Sequence, residues 1–372
     1  MTGDDLGTVR RLLQHLRVLD RVALACALEN GSLSCLGPAP EALVRLLAHM
    51  GTVEGDVGSP GLSNCLAGWG AYYGARYEDA SRCFEKAWSL PGPWASWAAL
   101  GLCKVASDLG HWALARDWGL VALHLAREEN DFERHSEAAG ALGEVFLRAG
   151  QPKLAYELVS LDAALLPPGS GYRDRLTNYL AVCLGRLGEH SLAEPLLWHG
   201  FFAAREHDPV SAAYSRASLY VLSALIPNRS LFCRLEAGIS HSVASGAELP
   251  EAIVECVRAY WGAAGTSGPS SGFERSEVLA HLERARAMLG PFYPVERAWV
   301  RELVCHVAGE PYDEAELESL RQRRSPAPPP PLRHVLDAHL ADADLSTPLP
   351  FPLLGGGRSA GDAWQALRMF FI

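Results

Sequence analysis

The chain has 372 residues, of which 49% are hydrophobic and 20% charged, and 43 acidic against 33 basic residues leave a net charge of −10. That apolar content supplies a core and excludes a disordered chain, while the acidic balance argues against a nucleic-acid surface. Nine cysteines, odd in number and without a Cys-x-x-Cys spacing, read as reduced thiols of a reducing compartment and not as a disulfide frame.

The start, Met1-Thr2-Gly3-Asp4-Asp5, is acidic where a signal peptide needs basic residues. No run approaches the roughly 18 apolar residues that span a bilayer. A soluble, cytoplasmic protein that engages no membrane is the expectation. Leu12, Leu13, Leu16 and Leu19, then Leu43, Leu46 and Leu47, carry helical periodicity and predict an N-terminal helical cap over 1–55. The polar, Gly-rich stretch 51–61 connects this cap to the rest of the chain.

From there one pattern recurs: a Gly-ended helix, a turn, and a second helix with Ala in its first turn. Ala80, Ala115, Ala155 and Ala193 mark it at steps of 35, 40 and 38 residues. A period in this range is the mark of stacked helical units that share one core, because no unit can bury its apolar face alone. The first unit carries Gly68, Ala75, Tyr77, Ala80, Phe84 and Ala87, with Pro91-Gly92 closing it. The second keeps Leu102, Gly110, Trp112, Ala115 and Ala122, with Cys103 and Gly119 out of pattern. The third keeps Leu142, Gly143, Phe146, Gly150, Ala155 and Pro167, and the fourth Leu180, Gly188 and Ala193.

This pattern resembles the tetratricopeptide repeat, whose period is about 34 residues, in a divergent form with longer units. The resemblance implies small residues where the paired helices cross and bulky ones around them. It extends over 56–205 as four units and more faintly over 206–324. There, pairs are predicted at 217–225 with 231–245, 251–264 with 273–289, and 294–308 with 313–323. The fold implied is all-α: a right-handed solenoid of about six or seven antiparallel helix pairs. Gly68, Ala80, Gly143, Ala155 and Ala193 should lie buried at close crossings.

Ser325-Pro326-Ala327-Pro328-Pro329-Pro330-Pro331 reads as a stiff polyproline linker over 325–331. The segment 332–372 holds a short helix near 332–343, a Pro/Gly-rich loop, and the apolar tail Trp364, Leu367, Met369, Phe370, Phe371 and Ile372. That tail either caps the last helix pair or docks elsewhere as a tethered ligand.

Chemistry-bearing motifs are few. Gly268-Pro269-Ser270-Ser271-Gly272 matches a nucleophile elbow by letter but lacks the preceding strand such an elbow needs. Gly355-Gly356-Gly357-Arg358 lacks the Lys-Ser/Thr of a phosphate loop. His334, Asp337, His339, Asp342 and Asp344 crowd one segment without a second ligand group nearby, which suits a surface helix better than a metal site. No catalytic residue, cofactor or metal is assigned.

Trp69, Tyr72, Tyr73, Trp88, Trp94, Trp97, Trp112 and Trp118 fall within 50 residues. They either pack the core between units or line a peptide groove. In the family resembled, the first helix of each pair faces the concave surface, where Lys, Arg and Asn grip peptides. By that register the expected peptide-binding residues are Trp69, Tyr73, Trp97, Lys104, Arg148, Arg175 and Asn178. The function implied is a non-enzymatic scaffold or adaptor that holds a protein or peptide partner in its concave face. The alternative is a regulatory sensor that binds a small ligand or peptide and modulates a partner, and an enzyme stands third.

Overall fold

A computed structural model describes residues 60–345, less 74, 91, 93, 167–171, 206–208, 227, 239–247, 266–274, 291–292, 312–314, 316–318, 321, 330–337 and 344. The expected N-terminal cap, both glycine-rich motifs and the apolar tail lie outside the described residues. So do most of the His/Asp cluster and all but a few residues of the expected helix 313–323.

The described residues form an all-α protein with no strand among them. In chain order the helices are α1 (Pro60–Tyr73), α2 (Tyr77–Trp88), α3 (Ala95–Asp108), α4 (Trp112–Glu128), α5 (Phe132–Arg148), α6 (Pro152–Leu165) and α7 (Tyr172–Arg186). Then come α8 (His190–Ala204), α9 (Pro209–Leu225), α10 (Arg229–Gly238), α11 (Glu248–Gly265), α12 (Arg275–Leu289), α13 (Pro294–Ala308) and the single turn α14 (Ala338–Ala341). The chain divides into two compact units. The first takes residues up to 107 with 111–142 and 323–343, and the second takes 108–110, 143–322 and 344 onward.

Glycine makes the turns within pairs. Gly110, Gly150 and Gly188 adopt φ of 77°, 73° and 88°. The next residues, His111, Gln151 and Glu189, donate their N–H five residues back to the carbonyls of Ala106, Phe146 and Leu184, at 2.8, 2.7 and 2.9 Å. This is the helix-ending bond that a left-handed residue permits. The first pair makes the same bond, Arg76 to Ala71 at 2.9 Å, with Ala75 at φ 58° in the glycine position. A turn this short returns the chain antiparallel to itself.

Crossings follow the expected logic in a sharper form. A Cβ on Gly68 of α1 would lie 2.6 Å from the Phe84 ring, and one on Gly101 of α3 would lie 2.4 Å from the same ring. Phe84, on α2, is therefore gripped between two bare helix backbones and is fully buried. Sixteen residues separate Gly68 from Phe84, Cys103 from Gly119 and Gly143 from Val159. In the second pair the bulk is reversed: Gly119 on α4 makes the space and Cys103 on α3 fills it, 3.3 Å from where a Cβ would sit. A Cβ on Gly143 would lie 2.9 Å from Val159. Ala80, Ala155 and Ala193 are fully buried, as expected.

Within the first unit, Trp69 meets Trp97 at 6.1 Å between ring centroids, joining α1 to α3, and Trp88 meets Trp118 at 5.3 Å, joining α2 to α4. In the second unit α6 to α9 pack in chain order. There α7 also touches α9, and α9 touches α11 across α10. Packing on the next helix and the next but one is how stacked pairs share a core.

Candidate functional site

Three of the residues expected to anchor a peptide, Trp69, Trp97 and Arg148, are buried. Trp69 and Trp97 are only 2% and 3% exposed, and Trp69 packs on Phe84 at 5.3 Å as well as on Trp97. Their rings fill the seam between α1 and α3, so the core account of these two tryptophans replaces the groove account. Arg148 is likewise buried. Its Nη2 lies 2.8 Å from Glu144 Oε1 and 2.8 Å from Oε1 of Glu296, itself 3% exposed. It is a structural ion pair of the second unit. Lys104 and Asn178 are half-buried on α3 and α7. The side chains of Tyr73 and Arg175 lie outside the described residues.

A different surface in the first unit is covered by a non-helical stretch of the chain itself. On α2, Glu85 and Trp88 stand three residues apart and share a face. On α4, Trp118 stands seven residues, about two turns, beyond His111, which puts both on one side. Across them runs the segment 324–328, expected only as a spacer. Trp118 Nε1 donates to the Ala327 carbonyl at 2.9 Å, and the Ala327 N–H donates to Glu85 Oε1 at 2.8 Å. Arg324 Nη2 pairs with Glu85 Oε2 at 3.0 Å, and Ser325 Oγ meets His111 Nε2 at 3.1 Å. Pro326 is buried. Farther on, Arg116 Nη1 donates to the Ala343 carbonyl at 2.8 Å, and α14 rests on α4. Burial of the His111 ring holds its pKa below the ordinary value, so it is neutral at pH 7 and can take or give one hydrogen bond through Nε2.

The second unit carries a polar network. Tyr220 Oη donates to Glu236 Oε1 at 2.6 Å, and Arg258 Nε donates to the same oxygen at 3.0 Å. Arg258 Nη1 and Arg284 Nε then donate to opposite oxygens of Glu255 at 2.6 and 2.7 Å, with His281 Nδ1 2.9 Å from Oε2. Burial would raise the Glu255 pKa, but donors from His281, Arg258 and Arg284 pull it down to about 2. Burial likewise raises the Tyr220 hydroxyl, reinforced by Glu236, so it stays protonated. A network so paired ties α9, α10, α11 and α12 together. Between α7, α8 and α9 lies a small, mostly apolar recess lined by Ala181, Gly185, Leu197 and Leu222 with Arg186 at its wall. Burial draws the Arg186 pKa down to about 10.

Among the described residues no cluster of His, Cys, Asp or Glu could hold a metal ion, and no helix is long and apolar enough to cross a membrane. Searches against protein-family models, curated proteins and solved structures find no match to the chain.

Proposed function

We propose that this protein is a non-enzymatic, tetratricopeptide-like peptide-binding module, a scaffold or adaptor that acts in the cytoplasm. The observation that carries this reading is the segment seated on α2 and α4. Helix side chains hold a non-helical backbone by both its N–H and its C=O at Ala327. Recognition of that kind is indifferent to most side chains of the guest, which is what a peptide receptor requires. The second unit adds exposed apolar surface of the sort interaction modules display: Phe202 is 57% exposed and stacks on Trp198 at 5.6 Å.

A second reading, the ligand sensor, is favoured by the recess beside Arg186. Its mostly apolar wall suits a small apolar or amphiphilic molecule. One experiment separates the two. The intact chain is probed on an array of immobilised peptides covering proline-rich, acidic, basic and C-terminal sequences, and its melting temperature is followed with small amphiphilic acids. Saturable capture of one peptide class supports the module. A thermal shift with an acid, without capture of any peptide, would replace it with the sensor.

A further inference from the structure

We propose that the α2–α4 face carrying Glu85, His111 and Trp118 is a receptor for basic, proline-rich segments of a partner protein, kept occupied in the resting molecule by the chain's own 324–328. The proposal rests on the peptide-binding reading above and names its ligand and its regulation.

The geometry of the seated segment states what the site selects. Glu85 uses one carboxylate oxygen for the Arg324 guanidinium and the other for the Ala327 N–H. From Pro326 to Pro331 every residue except Ala327 is proline and lacks an N–H, and that one donor meets Glu85. Trp118 answers with its indole N–H at the Ala327 carbonyl, and its ring is backed edge-on by Trp88 at 83°. An extended proline helix presents its carbonyls outward and is rigid before it binds, so little entropy is lost on docking. Pro326 is buried and sets a proline at that position, whereas the Ala327 and Pro328 side chains are exposed and leave theirs open. The motif is therefore a basic residue, a hydroxyl residue facing His111, proline, then two open positions of which the first keeps its free N–H.

The seat is exchangeable by construction. The segment lies on the surface and is not threaded: Arg324, Ala327 and Pro328 are exposed. It is tethered through the Arg116–Ala343 bond on its far side, so it competes as an intramolecular ligand at an effective concentration on the order of millimolar. A partner carrying the motif must displace it, and anything that frees the tether raises apparent affinity.

The test uses the full chain and a fluorescein-labelled copy of residues 322–330, read by anisotropy. Arg324→Ala with Pro326→Gly empties the seat and should tighten peptide binding by roughly tenfold or more over the wild type, as expected when a tethered competitor is removed. Adding Glu85→Gln or Trp118→Phe to that variant should reverse the gain. If the double variant fails to fold by circular dichroism, Arg324→Ala alone, which removes only an exposed ion pair, should still tighten binding several-fold. No saturable binding to either folded variant at millimolar peptide overturns the proposal. Binding that ignores both Glu85→Gln and Trp118→Phe overturns this seat while leaving the peptide-binding reading standing. A concentration-dependent wild-type dimer that Trp118→Phe abolishes would assign the seat to a second copy of the chain, and overturns the partner.

Discussion

A single methyl group on Gly101 tests the crossing that joins the first two helix pairs. Carbon atoms rest about 3.5–4.0 Å apart. A Cβ at residue 101 would sit 2.4 Å from Phe84 Cζ, so the ring must retreat by roughly 1 Å or more. It has nowhere to go, because the Gly68 backbone closes the other side, with a Cβ position 2.6 Å away, and Phe84 is fully buried. Alanine gains up to about 1 kcal/mol of helix propensity over glycine, and overpacking costs about 1–3 kcal/mol. Gly101→Ala should therefore be destabilising on balance, and Gly101→Ala with Phe84→Leu should cost less than the two changes summed. Gly185→Ala makes the control. Its Cβ meets only Leu222 at 3.6 Å and Ala193 at 3.9 Å, ordinary contacts, so propensity wins and the change should stabilise by about 0.5–1 kcal/mol. Urea unfolding followed by far-UV circular dichroism reads all these proteins. A Gly101→Ala midpoint at or above wild type would refute the account of the crossing.

The turns and the charges carry three further outcomes. Ala75→Gly should stabilise by about 0.5–1 kcal/mol in the same assay, because a left-handed φ of 58° strains a residue with a Cβ. Arg148→Ala should cost roughly 3–5 kcal/mol by thermal unfolding, since it strands Glu296 in the core, whereas Arg148→Met with Glu296→Leu should recover most of that loss. Glu255 ionises near 2 in the folded protein and near 4.5 when unfolded, so the unfolded chain takes up the proton first as pH falls. Stability should decline from the ordinary carboxylate range down toward pH 2, and Glu255→Gln should flatten that part of a melting-temperature profile.

The helices and their crossings were legible because each local rule points the same way. α13 runs from Pro294 to Ala308, the bounds expected from proline at a helix start, and Gly309 at φ 70° ends it. Gly68 and Ala80 announced a crossing because only small residues let helix axes approach. The site was another matter. Whether Trp69 faces a groove or a seam depends on where the next helix pair lies, and helical spacing does not say. Arg148 read as a groove cation because its partner Glu296 lies on α13, far along the chain. The proline segment was visible as extended, yet it carries no periodicity that names its seat. Glu85 and Ala327 are 242 residues apart, and nothing in the α2 sequence marks that carboxylate as a backbone acceptor.

The Trp118 indole N–H resonance tests the central claim most directly. It can be assigned by its loss in Trp118→Phe and followed as the 322–330 peptide is added to the full chain carrying Arg324→Ala and Pro326→Gly, whose own segment no longer fills the seat. The account predicts that this signal moves and saturates as the peptide fills the emptied seat, while the core Trp299 indole, 1% exposed, stays fixed. A Trp118 signal that holds its position at millimolar peptide would contradict it.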